Sequence, residues 1–164
     1  MEFSSFLADI LATIVGGISL TCLFFVTKEK IFPIPDITGR WYIEVTTINS
    51  AYRPYDNMVL RYVIMIWREG NILKGSAEKI YENSLNGEQE YVGIHRTRAL
   101  LEGYFEKNYL SRDKVCLHAV EKGHGRESTN FYELIVNSKL EMTGKFQSMV
   151  ADQDGTVRCQ KEPF

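Results

Sequence analysis

The segment TGRWYIEV, Thr38 to Val45, decides what kind of fold this chain takes. Trp41, Ile43 and Val45 alternate with Tyr42, Glu44 and Thr46, and a period of two places the first set on one face of a β-strand and the second on the other. The pattern continues outward. MVLRYVIMIW (Met58 to Trp67) is rich in β-branched and aromatic residues, and REGN turns it into ILKGSAEKIY (Ile72 to Tyr81). NSLNGE marks a second turn. Further strands are expected at Tyr91 to Arg96, Arg98 to Lys107, Lys114 to Glu121, Asn130 to Val136, Leu140 to Ser148 and Thr156 to Lys161, with DQDG (Asp152 to Gly155) as the last turn. Eight or nine short strands without an amphipathic helix predict an all-β body, a small antiparallel eight-stranded β-barrel of lipocalin-like form, with a sandwich as the alternative.

Three strands share a local pattern: LKGSA (Leu73 to Ala77), LEGYF (Leu101 to Phe105) and MTGKF (Met142 to Phe146). Gly75, Gly103 and Gly144 have the parity of their apolar neighbours and are expected to face the interior, where they permit strong coiling or leave space for a ligand.

Upstream of this body lies ADILATIVGGISLTCLFFVTKEK, Ala8 to Lys30, in which Ile10 to Thr27 carries no charge. That length and apolarity predict one membrane-spanning helix. No basic residue precedes it and no small-x-small cleavage pattern follows, so it reads as an uncleaved anchor. Lys28 and Lys30 on its C-terminal flank place the β-body in the cytoplasm by the positive-inside rule. Ala8, Ala12 and Gly16 form one row of small residues, and Thr13, Gly17 and Thr21 form another, with Asp9 beside them. Such rows let helices approach closely, and Ala12, Gly16 and Gly17 are the candidate helix-packing positions. The expected organisation is an anchor over residues 1–30, a linker over 31–37 containing Pro33 and Pro35, and a barrel over 38–164.

Lys and Arg number 19 against 21 Asp and Glu, and Glu2 and Asp9 are the only charged side chains before Lys28, so the body is balanced. A balanced body offers no face for long nucleic acid. Cys22, Cys116 and Cys159 form no CxxC pair, which fits a reducing compartment better than a disulfide framework. No nucleotide loop, nucleophile elbow or metalloprotease motif occurs, and His95, His118 and His124 lack ligand spacing, so neither enzyme, metal nor cofactor is expected. GHGRES (Gly123 to Ser128) reads as a loop.

Parity then selects the polar residues that face inward. Lys79 and Tyr81 follow Leu73, Gly75 and Ala77, while Asn130 stands at the inward end of Tyr132, Leu134 and Val136. A lysine among tyrosines suits a small nucleotide, whose phosphate it pairs and whose base stacks on the rings. The long connection SAYRPYDN (Ser50 to Asn57) adds Tyr52, Arg53 and Tyr55, and GIHRTRA adds His95, Arg96 and Arg98.

The membrane segment, TGRWYIEV, TTINSAYRPYDN and LKGSAEKIYE together resemble the transmembrane β-barrel effectors of bacterial cyclic-oligonucleotide antiphage signalling, the CD-NTase-associated Cap15 type of CBASS. The resemblance implies a cytoplasmic barrel that binds a cyclic dinucleotide made by a partner nucleotidyltransferase. It also implies homo-oligomerisation, and clustered helices that disrupt the inner membrane and kill the infected cell. The sensor surface it implies draws on Lys79 and Tyr81, with Arg53 and Tyr55. The family is described with two spans, and one is readable here. Gly39-Arg40-Trp41 also has the G-x-W form of lipocalin first strands, which makes an anchored carrier of an apolar ligand the alternative, followed by a protein-binding scaffold.

Overall fold

The computed structural model describes residues 2–123 and 126–164. The chain divides into two compact units, Met1–Pro35 and Asp36–Phe164. In the first, helix α1 (Glu2–Val26) runs into a π-helical turn, Thr27–Ile31, closed by Phe32 N–H donating to the Thr27 carbonyl at 3.2 Å. The stretch Ser5–Ile31 is long and apolar enough to cross a membrane. Two of its hydroxyls need no water: Thr13 and Thr21 donate to the carbonyls of Asp9 and Gly17, each at 2.8 Å. Ala12, Gly16 and Gly17 are exposed, and a Cβ added at either glycine meets nothing within 4 Å.

The second unit is a closed barrel. Its strands are β1 (Gly39–Asn49), β2 (Val59–Glu69), β3 (Ile72–Ser84), β4 (Gly87–Glu90), β5 (Arg98–Glu106), β6 (Lys114–Gly123), β7 (Arg126–Val136), β8 (Glu141–Ser148) and β9 (Gln153–Gln160). The order β2-β1-β9-β8-β7-β6-β5-β3 is antiparallel throughout, and pairing of β2 with β3 closes the ring of eight. Strand β4 stands outside it, a hairpin flap on the end of β3.

Several expected boundaries move. Tyr91 to Arg96 is not a strand: the polar segment Gly87–Glu90 pairs with β3 instead, and Gly93, at positive φ, opens a 3-10 turn over Gly93–His95. The apolar character of Tyr91, Val92 and Ile94 had pointed the other way. Strands β6 and β7 pair as far as Gly123 with Arg126, so Glu127 and Ser128 are strand and not loop, while His124 lies outside the described residues. The last turn falls over Val150–Asp152 and takes in only the first residue of DQDG, because Ala151 and Asp152 take the left-handed conformation and Gln153 already belongs to β9. Ile37, expected in the linker, is buried in the barrel.

One barrel end is packed solid. Trp41, Leu73, Val115, Leu134, Met142 and Cys159 are fully buried there. The Trp41 indole N–H donates to the Ile37 carbonyl at 2.8 Å, and the Lys161 ammonium stands 4.1 Å from the indole ring centre while donating to the Thr38 carbonyl at 2.7 Å. This end plugs the interior.

The interior glycines serve closure. A Cβ at Gly103 would collide with the Cys116 carbonyl, and one at Gly144 with the Glu133 carbonyl, so these strands coil closely over their neighbours and leave no ligand space. Gly103→Ala is therefore expected to lower stability by about 1–3 kcal/mol, the usual range for overpacking, read as a fall of several degrees in melting temperature. An unchanged melting temperature would show that the backbone crossing at Gly103 is not tight.

Candidate functional site

The opposite barrel end is open. A cavity of about 470 Å³ enters it, within the roughly 300–1,000 Å³ range of small-molecule sites. Its polar lining comes from strand ends and connections that the up-and-down topology gathers at one rim: Lys79 and Glu82 from β3, Glu121 from β6, Ser128 and Asn130 from β7, Ser148 from β8 and Gln153 from β9. Tyr62, Tyr132, Tyr55 and Tyr91 add aromatic surface.

The rim is fastened on two sides. The β1–β2 connection folds into a 3-10 turn, Arg53–Tyr55, in which Tyr52 and Tyr55 meet edge to face at 5.1 Å. Ala51 N–H donates to the Ala151 carbonyl at 2.8 Å, tying this connection to the β8–β9 turn. Beneath them the Thr47 hydroxyl donates to Gln153 Oε1 at 3.1 Å, and Gln153 Nε2 donates to the Val150 carbonyl at 2.8 Å.

Lys79 is the cation of the site, with its side chain only 15% exposed. Its ammonium donates to Glu82 Oε2 at 3.1 Å and lies 4.9 Å from the centre of the Tyr91 ring. Tyr91 O–H donates to the same carboxylate oxygen, also at 3.1 Å. Burial acts to lower the Lys79 pKa, but the fields of Glu121 and Glu82 outweigh it and raise the value, so Lys79 stays charged at neutral pH. Tyr62 donates to Glu121 Oε2 at 3.2 Å. Burial, reinforced by nearby Tyr132 and Glu121, pushes the Tyr62 pKa well up, and burial chiefly does the same for Tyr132. Both remain phenols.

Of the residues selected from sequence, Tyr55, Lys79, Asn130 and Tyr132 converge on the cavity. Tyr81 does not. The register shifts between Arg61 and Tyr62: Arg61 faces Tyr81, Tyr62 faces Lys79, and Ile80 is the extra residue of a β-bulge. The bulge reverses parity, so Tyr81 lies on the outer wall under the Arg61 guanidinium, 4.7 Å from its ring centre, with its hydroxyl on Glu88, and Glu82 turns inward in its place. Arg98 also points out, 83% exposed and paired with Glu78 at 3.2 Å, and Arg96 pairs with the same carboxylate at 3.2 Å. Arg53 and His95 are exposed and take no part in the cavity lining.

Sequence reasoning missed Tyr62, Glu82, Tyr91 and Glu121. Glu121 shared the inward parity of Val115, Leu117 and Ala119, a usable signal, whereas Glu82 was hidden by the bulge. The lining does not suit an apolar carrier, since two carboxylates and a lysine face it. Among the described residues no group of His, Cys, Asp and Glu has the arrangement of a metal site.

No family model and no curated protein matches the chain. Among solved structures it is similar to a redesigned β-barrel, mFAP1, bound to DFHBI, with TM-score 0.54 and 11% identity over 76% of this chain and 94% of that one. It is likewise similar to another redesigned barrel, b11L5F_LGL, with TM-score 0.51 and 12% identity over 77% and 92%, and to mFAP0 bound to DFHBI, with 0.53 and 11% over 76% and 98%. At this identity the likeness shows the fold, a small β-barrel, here on a chain that also carries a helix long enough to span a membrane.

The site also sets a pH dependence. Lys79, Tyr62 and Tyr132 all have raised folded-state pKa values, so above about pH 10, where their unfolded counterparts lose protons, the folded state binds more protons and stability falls as pH rises. Melting temperature followed from pH 8 to 11.5 is expected to drop through this window, and Tyr62→Phe to flatten the drop. An equal slope in the variant would remove Tyr62 from this account.

Proposed function

We propose that this chain is a membrane-anchored sensor and effector of the CBASS type, without catalytic activity. The cytoplasmic barrel receives a cyclic dinucleotide at its open mouth, liganded barrels associate, and the clustered helices disrupt the bacterial inner membrane. The observation that carries this reading is the polarity of the barrel itself: one end is plugged by Trp41 and Lys161, and the other opens to a cavity in which Lys79 lies among four tyrosines. Lysine and aromatic faces are the groups that hold a phosphate and stack a base. The helix supplies the acting part, with Ala12, Gly16 and Gly17 as a smooth surface for close helix approach.

The energetics are modest. A ligand that favours the assembled state by about 3 kcal/mol shifts the equilibrium more than a hundredfold. Full-length protein in detergent, heated with each of a panel of 3′–5′ linked cyclic dinucleotides and with fatty acids, tests the sensor half. One cyclic dinucleotide at a hundred times its dissociation constant is expected to add about 2.7 kcal/mol and raise the melting temperature by several degrees. A rise with fatty acids alone, or none at all, overturns the reading.

The effector half is tested in cells producing the cognate messenger. Replacing Gly16 and Gly17 by Leu is expected to abolish growth arrest while leaving messenger binding by the purified protein intact. Undiminished arrest would remove helix packing from the mechanism.

A further inference from the structure

The cavity holds more negative than positive charge. Among its described side chains Lys79 is the one cation, against Glu82 and Glu121. Glu82 is already occupied, because the Lys79 ammonium and the Tyr91 hydroxyl both donate to its Oε2. Glu121 differs. Among the described residues it is in no ion pair within 4 Å, though its field acts on Lys79, and it accepts from the neutral phenol of Tyr62, which is buried and stays protonated. A carboxylate has about four lone-pair sites, so one accepted hydrogen bond orients Glu121 and leaves capacity facing the cavity. A second carboxylate beside a single lysine is costly for a ligand that carries only phosphates and acceptors. It is favourable for one that brings N–H donors.

We infer that Glu121 is the specificity-determining residue of the cavity and receives a planar pair of N–H donors. In the cyclic dinucleotide of the proposed sensor, on which this inference rests for its ligand, that pair is the N1–H and N2–H edge of guanine. Two parallel N–H groups match the two oxygens of a carboxylate. Uracil meets the same oxygens with carbonyls on either side of one N–H, and adenine pairs its single amino group with an acceptor nitrogen. Tyr91 and Tyr132 lie on the cavity wall to cover the base, and Lys79 is the group available to a phosphate. A free guanidinium carries the same donor fork, so the chemistry is shared between two ligand sources.

The test is calorimetric titration of full-length protein in detergent with cyclic di-GMP, cyclic di-UMP and agmatine, repeated on Glu121→Gln. Gln keeps an acceptor for the Tyr62 hydroxyl but replaces one acceptor oxygen by a donor. Wild type is expected to bind cyclic di-GMP at least tenfold more tightly than cyclic di-UMP, and Glu121→Gln to bring the ratio close to one. Tyr62→Phe, which leaves the charge in place and releases its orientation, is expected to weaken cyclic di-GMP selectively and serves if the first variant fails to fold. Equal affinities in wild type, or a ratio untouched by both substitutions, overturn the inference while leaving the sensor reading standing. Binding of agmatine alone, lost in Glu121→Gln, upholds the donor fork and removes the cyclic dinucleotide. Binding of none of the three overturns the inference.

Discussion

Closure of the sheet through the β2–β3 pairing is the constraint from which the rest of this barrel follows. Once eight strands share one interior, every strand has a single inward face, and the volume inside must be either filled or opened to solvent. At one end it is filled, by Trp41 and the buried residues around it. The closeness of the strands demands glycine where backbones cross, at Gly103 and Gly144, because any side chain there would strike the carbonyl of the next strand. Filling one end leaves the other as the place where polar side chains on inward positions can keep water or meet a ligand.

The β-bulge at Ile80 is the second determinant, and it acts through the same parity. Without it, β3 would send Tyr81 inward and Glu82 out. With it, the barrel interior gains a carboxylate within reach of Lys79, and the outer wall gains the stacked pair of Arg61 and Tyr81. A lysine with little exposure needs such a partner, since burial alone disfavours its charge. The inserted residue thus determines both the charge of the mouth and the orientation of the flap, whose Tyr91 hydroxyl closes on the same carboxylate.

Much of this architecture is legible in the sequence, for reasons tied to particular segments. The apolar run from Ile10 to Thr27 reads as a helix long enough to span a membrane and the structure forms one there, and the alternation in TGRWYIEV survives intact in β1. Asn130 and Tyr132 were placed correctly in space because β7 is regular there. Tyr81 was not, since a bulge changes no hydrophobicity and leaves no mark on a pattern of period two. Strand β4 was invisible because all four of its residues are exposed, so no burial pattern records its pairing. Glu121 was visible by parity but easily set aside, because a charged residue at a strand end ordinarily reaches water.

In the proposed sensor, the charge of the mouth bears on how binding in the barrel would be coupled to an event at the helix. Lys79 is held by Glu82 and by the field of Glu121, so a phosphate of the proposed ligand would have to displace part of an existing ion pair. The gain from binding is reduced by that exchange, and the affected residues lie on β3 next to the flap hairpin. A ligand that draws Lys79 away from Glu82 also loosens the oxygen on which Tyr91 is anchored. In the proposed sensor, binding and flap position would then be linked by the acceptor that Lys79 and Tyr91 share, and a bound ligand would change the outer rim. A difference of that kind is what a ligand must create if it is to favour one state of association over another, since equal interaction with both states shifts nothing.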